Sequence, residues 1–369
     1  MSTMSPASQI IDDRPRPTLG HRVNAAFSNN RWWITRIAVM PVHLLVFAVL
    51  AFGLLRLMPG DPVAAILGDQ PFTREDYNRL QESLGLSGSI PEQFLTYLQG
   101  LLALDLGTSL VSLRPVSGEL AVRIPATVEL AALGMIACIL VSVIASLLAV
   151  VRPKSIIARI MTAYSRAAGA IPDFVLAVLG LIFLYATLRV LPAPMGRLSP
   201  GLAQPNTITG FPFLDTILQG YWDATGDMAA HLVLPIAVLA LSQAPIMTNL
   251  LITGLRKSID SPSTLFRIAT GASRFTVYLS VYRRAIPSAV TIAGSIFAGL
   301  IGGAIIIEQL FGFVGLGSYA STAVAGSDYP ALQGFLLVAA ALVLVVFLVI
   351  DVLNMIIDPR RRPGAEKED

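Results

Sequence analysis

The chain has 369 residues, of which 54% are hydrophobic and 13% charged, with one cysteine and a formal net charge of +3. A soluble domain carries roughly a quarter charged residues. This composition therefore excludes an ordinary water-soluble enzyme, and the lone Cys138 excludes an intrachain disulfide or a cysteine-built metal site.

In chain order, residues 1–33 are rich in proline, serine and charge and read as a disordered tail. Six apolar runs follow: Ile34–Met58, Leu130–Val151, Ala167–Leu188, Leu232–Ile252, Ile286–Ile307 and Phe335–Ile357. Each is about twenty residues long, enough to cross a hydrocarbon layer of about 30 Å as a helix. They lack the alternation of a membrane barrel, so the predicted fold is an all-α membrane protein with six transmembrane helices. The first run begins too far in, and is too long, to be a cleaved signal. Pro59, Gly60, Asp61 and Pro62 read as its stop.

Between the runs, residues 59–128 are acidic, and Thr73 followed by Asp76 predicts a capped helix in "TREDYNRLQESLG". Residues 189–231 read as an irregular loop, and "EQLFGFVGLGSYASTAVAGSDYP" as a short one punctuated by glycine. Asp173, just after Pro172, reads as an N-terminal helix carboxylate at the cytoplasmic start of the third span. Gly299 and Gly303 in "GLIGGA" suit close helix packing, with lining of a pathway as the alternative. Glu308 reads as sitting in the outer headgroup zone, with a contact to a cationic peptide terminus as its alternative.

Nineteen of the 26 Lys and Arg fall in residues 1–36, 152–166, 256–284 and 359–369. The positive-inside rule places those four segments, and so both termini, in the cytoplasm. The domain division is a tail over 1–33, a six-span unit over 34–358 and a tail over 359–369, with an outer segment at 59–128. The basic charge follows from this asymmetry and does not point to nucleic acid.

The inventory of chemistry is short. There is no G-x-x-x-x-G-K-[ST] phosphate loop, no H-E-x-x-H pair and no Ser–His pairing. Intramembrane charge, the mark of ion coupling, is scarce. A bundle that draws its energy from elsewhere fits best; a proton-coupled secondary transporter and an intramembrane hydrolase are the other classes. One cytoplasmic stretch is organised beyond what a connection needs. In "TLFRIATGA", Leu265, Ile268, Ala269 and Ala272 form one apolar helical face, Arg267 and Thr270 lie off it, and Gly271 suits the turn that ends it. Periodicity leaves two readings open: a helix resting on lipid headgroups, or one that meets a partner.

The wider sequence resembles the permease subunit of ATP-binding cassette importers of the dipeptide/oligopeptide/nickel family. "LLRLMPGDP" (Leu54–Pro62), "YLQGLLALDLGTSL" (Tyr97–Leu110), "RIPATVELA" (Arg123–Ala131), "HLVLPIAVLAL" (His231–Leu241), "IIIEQLFGFVGLG" (Ile305–Gly317), "DYPALQG" (Asp328–Gly334) and the terminal "DVLNMIIDPRRR" carry it, in that order. The resemblance implies the type I importer permease fold and a bacterial inner-membrane location. It implies a coupling helix over Leu265, Phe266, Arg267, Ile268, Ala269, Thr270 and Gly271, within a loop at 256–285 closed by Pro287. The implied partners are a second homologous permease, two cytoplasmic ATPase subunits that use ATP and Mg, and an extracytoplasmic substrate-binding protein. The chain itself is then not an enzyme and binds no cofactor. Phe266, Arg267 and Ile268 depart from the family's small or polar residues there.

Overall fold

The computed structural model describes residues 38–53, 73–83, 87–167 and 171–357, with Arg56, Val63 and Leu67 besides. The two predicted tails and the Pro59–Pro62 stop lie outside the described residues. Twelve helices follow one another among those described: α1 (Ala38–Gly53), α2 (Arg74–Ser83), α3 (Ile90–Leu102), α4 (Val116–Val151), α5 (Ile156–Arg166), α6 (Asp173–Gly180), α7 (Pro212–Leu218), α8 (Trp222–Ile259), α9 (Pro262–Ala269), α10 (Arg274–Phe311), α11 (Leu316–Ala325) and α12 (Tyr329–Ile357). A π-helical segment, Leu181–Thr187, continues α6. No strand occurs among the described residues, only a Thr108–Pro115 bridge.

Among the described residues, four stretches are long and apolar enough to cross a membrane: Val116–Val151, Trp222–Ile259, Ala289–Phe311 and Tyr329–Leu353. Ala38–Gly53 and Asp173–Thr187 are shorter apolar helices. Every predicted run falls on one of these six, but the limits differ. The second run, predicted from Leu130, is helical from Val116, because its charges are matched within the turn. Arg123 reaches Glu119 four residues earlier at 3.8 Å and lies over the Tyr319 ring.

The fifth run, predicted from Ile286, is helical from Arg274, where the Ser273 hydroxyl accepts the Thr276 amide at 3.2 Å. The basic stretch "RFTVYLSVYRR" is therefore part of α10. The connection predicted over 256–285 contracts to the residues around α9, and Pro287 lies inside α10 instead of closing a loop.

α8 is the central helix, with 61% of its most apolar window buried, against 6% for α12. It crosses α4 and α10 on small side chains. Ala131, Ala240, Ala244 and Ala304 are at most 1% exposed, and a Cβ on Gly134 would stand 3.2 Å from Leu239 Cβ. Such residues let helix backbones approach closely, which replaces the hydrophobic drive that lipid does not supply. Leu130, Leu239 and Leu300 fill the crossing.

The third run, predicted from Ala167, is helical only from Asp173. The basic segment at 152–166, expected to be a loop, forms α5, whose Ser155 cap accepts the Ala158 amide at 3.1 Å. α5 packs on α4 and α8. Pro245 inside α8 has no N–H for the Leu241 carbonyl, and the Tyr164 hydroxyl donates to that carbonyl at 3.0 Å. The chain then restarts as α6 at Asp173. A Cβ on Gly303 would meet Asp173 Oδ2 at 2.5 Å and Leu239 Cδ2 at 2.8 Å. Asp173 thus lies beside the middle of α8, not at one end of the bundle as expected from the sequence.

Candidate functional site

At one end of the bundle α9 stands out from the packed helices. Pro262 occupies its first turn, where no intrahelical N–H is needed. Its attachment is polar and two-sided. The Ser258 carbonyl at the end of α8 accepts the Ser261 and Thr264 hydroxyls, each at 2.7 Å. From α10, the Arg284 guanidinium donates to the hydroxyls of Ser263 and Thr264. Thr264 is buried by this fastening.

The rest of the helix faces outward. Leu265, Phe266 and Ile268 are 57%, 69% and 55% exposed, and Arg267, Ala269 and Thr270 are exposed with them. Gly271 ends the helix at φ +77°, with no atom within 4 Å of a Cβ placed there. Its role is therefore conformational and not one of close approach. The structure brings all seven predicted residues onto one projecting element. It also shows what the sequence reading passed over: the Thr264–Arg284 fastening, and exposed Phe275 and Leu279 on the first turns of α10. That pair stands at helical spacing in "RFTVYLSVYRR", a signal that was available.

The opposite end is held by buried carboxylates. Glu129 pairs with Arg197 at 2.9 Å and accepts the Phe213 and Leu214 amides, so a side chain of α4 caps α7. Arg197 also donates to the Ala126 carbonyl at 2.7 Å and covers the Phe313 ring. Glu308 accepts from the Thr127 hydroxyl at 2.6 Å and the Gly317 amide at 2.8 Å, while Thr127 accepts the Leu316 amide, which caps α11. Asp328 accepts from Ser109 and from the Val111 and Ala331 amides. Asp215 gathers the Ile208, Thr209 and Gly210 amides and the Thr209 hydroxyl.

Two expectations fail here. Glu308 is wholly buried within the chain, so its carboxylate does not face a headgroup layer; the Thr127 hydroxyl of α4 and the free Gly317 amide at the start of α11 hold it inward. The segment 189–231 is not irregular throughout, since α7 and the first turns of α8 fall in it. The glycines of "GFVGLG" are needed for this closeness: a Cβ at Gly315 would lie 2.2 Å from Glu308 Oε1, and one at Gly317 2.0 Å from the Ile305 carbonyl oxygen.

Gly299 and Gly303 lie between these ends, on the side of α10 that meets Gln243 of α8 and Asp173. Beside them α10 exposes Thr291, Ser295, Gly302, Ile306 and Gln309 along one stripe. The exposed stripe of α4 is different: Ile136, Ile139, Leu140, Val143, Ile144 and Leu147, aliphatic throughout. Predicted pathway residues Gly299 and Gly303 thus border an exposed face of mixed, partly polar character, while Glu308 is closed inside the far end.

The class this chain falls in is a helical membrane bundle with one projecting helix whose large apolar side chains are exposed. Residues 107–363 match the family described as "Binding-protein-dependent transport system inner membrane component", and residues 30–131 match its N-terminal companion, "Binding-prot-dependent transport system membrane comp, N-term". The chain is similar to the "Probable D,D-dipeptide transport system permease protein DdpB" of Escherichia coli (strain K12), 30% identical over 340 residues, which cover 91% of this chain and 99% of that one. It is also similar to the "Dipeptide transport system permease protein DppB" of the same strain, 29% identical over 332 residues, 89% and 98% of the two chains. The chain belongs to the binding-protein-dependent transport system inner membrane component family, the permeases of ATP-binding cassette importers. That membership lends no support to a proton-coupled secondary transporter.

Proposed function

We propose that this chain is one of two membrane subunits of an ATP-driven importer that takes peptides from an extracytoplasmic receptor, and that α9 receives the motion of a cytoplasmic ATPase. The observation that carries the reading is α9 itself. Three large apolar side chains stand in the open on a helix fastened from both sides, to α8 through Ser258 and to α10 through Arg284. A loose amphipathic helix would need no such double attachment; a lever does. Leu265 to Gly271 form the docking element, and Phe275 widens it.

The six apolar helices cross the inner membrane with both termini in the cytoplasm, which puts the carboxylate-held end outside. ATP and Mg are used by two separate ATPase subunits, so this chain is not an enzyme. A second permease covers the exposed stripe of α10, and the two enclose the pathway that Gly299 and Gly303 border. The names of the similar permeases support peptides as cargo. Closure of the ATPase pair displaces α9, and a tightly packed bundle responds by switching between two arrangements instead of bending.

The test is uptake of a labelled peptide by proteoliposomes holding the whole complex, with receptor outside and ATP inside. Uptake that vanadate abolishes supports the importer. Uptake that survives vanadate and stops only with an uncoupler would sink it.

A further inference from the structure

Asp173 and Gln243 have no task in the reading given so far. Both lie at the middle of the bundle, over successive turns of α10. Gln243 Oε1 stands 3.1 Å from where a Cβ on Gly299 would be, and Asp173 Oδ2 stands 2.5 Å from the same point on Gly303. Both side chains are half-buried, and neither makes a hydrogen bond or ion pair with any described residue. They adjoin the exposed stripe of α10 that carries Thr291, Ser295 and Gly302. An ionisable group held at membrane depth is costly unless it meets a partner or a watery path. Here the span that carries it is helical only from Asp173, and the carboxylate is set at that start, where discontinuous helices present groups to solutes in transit.

We infer that Asp173 and Gln243 form a recognition point inside the translocation pathway for a peptide's amino terminus, an inference that rests on the peptide-importer reading. Asp173 takes the ammonium group. Gln243 of α8 stands against Gly299, four residues along α10 from Gly303 and therefore about 6 Å away along that helix; it takes a peptide carbonyl about two residues further on, since an extended chain rises about 3.4 Å per residue. The two glycines are what leave room for both side chains against α10: any larger residue at Gly303 would displace the carboxylate. The competing role for Asp173 is purely structural, a negative charge at the start of α6.

The experiment uses the complete transporter with its receptor and ATPase subunits in proteoliposomes, and trialanine as the probe. Trialanine imported per ATP hydrolysed is compared for wild type, Asp173→Asn, Asp173→Glu and Gln243→Ala, with the thermal midpoint of each complex. The inference expects at least a ten-fold loss of that ratio in Asp173→Asn, recovery to within about three-fold in Asp173→Glu, and a smaller loss in Gln243→Ala. A ratio in Asp173→Asn within two-fold of wild type overturns it and leaves the importer reading intact. So does a loss of uptake that follows a lowered midpoint and that Asp173→Glu does not repair, since that is the structural role. If the wild-type complex imports no trialanine at all, the underlying peptide reading fails instead.

Discussion

Gly271 and Glu308 show how single residues decide the two ends of the molecule for different physical reasons. Gly271 sits at φ +77° in open space, so a side chain there meets no neighbour but must adopt a left-handed backbone, at a cost of about 1–2 kcal/mol. Gly271→Leu is expected to tilt α9 and lower transport relative to ATP hydrolysis in the assembled complex. Gly271→Asn, which tolerates that backbone, should retain most of it. Equal coupling in both variants and wild type would remove the lever. Glu308 is the reverse case, a fully enclosed carboxylate with partners on α4 and α11. Glu308→Leu leaves the Thr127 hydroxyl and the Gly317 amide buried without an acceptor, each at about 1–3 kcal/mol. A clear drop in the thermal midpoint of the detergent-solubilised protein checks this, and an unchanged midpoint refutes it.

At the scale of elements, capping and proline explain most of what holds the short helices. α7 hangs on Glu129 at its start and on Asp215 within it. Burial raises the Asp215 pKa, but the Thr209 hydroxyl and the Thr209, Ile208 and Gly210 amides outweigh it and hold the carboxyl below its usual value. A lowered folded-state pKa contributes stability above the unfolded value of about 3.9, and the contribution disappears as pH falls through the folded value. Hydrogen exchange at residues 208–210 should therefore stay slow down to about pH 4 and accelerate below it. Asp215→Asn should remove that pH step.

For α5 the fastening is Tyr164 on the carbonyl that Pro245 leaves free. Tyr164→Phe is expected to cost about 1 kcal/mol, read as a small fall in midpoint; no change at all would mean water replaces the hydroxyl there.

On the scale of the whole molecule, the single cysteine makes the topology directly readable. Cys138 is buried, so a Cys138→Ser background carries no thiol, and new cysteines report their own side. A cysteine at Phe275 should react with an impermeant maleimide only in inside-out vesicles, and one at Trp222 only in right-side-out vesicles. Labelling of both from one side would overturn the six-span arrangement.

Much of the architecture was legible in the chain. The six apolar runs locate six helices, because burial in lipid demands long uninterrupted apolar sequence whatever the packing. Thr73 and Asp76 do cap α2 reciprocally, since capping is a contact between residues three apart. Ser89 and Glu92 cap α3 in the same way, and their S-x-x-E spacing was there to be read. The span limits were not legible, because Arg123 and Arg274 look like loop residues until their surroundings are known. The carboxylates at the end of the bundle away from α9 were equally opaque: Glu129 reaches across 68 residues to Arg197 and Glu308 across 181 to Thr127, and no local pattern encodes such partners.

Sequence alone determined that this is a helical membrane protein, and which short stretch carries an amphipathic helix, because hydropathy and helical period are properties of neighbouring residues. The tertiary structure decided the rest. It turned acidic loop residues into buried caps and fastened α9 to two long helices. It set the start of the third span at Asp173 and brought that residue beside Gly303, because each of these depends on which distant backbone groups need a partner.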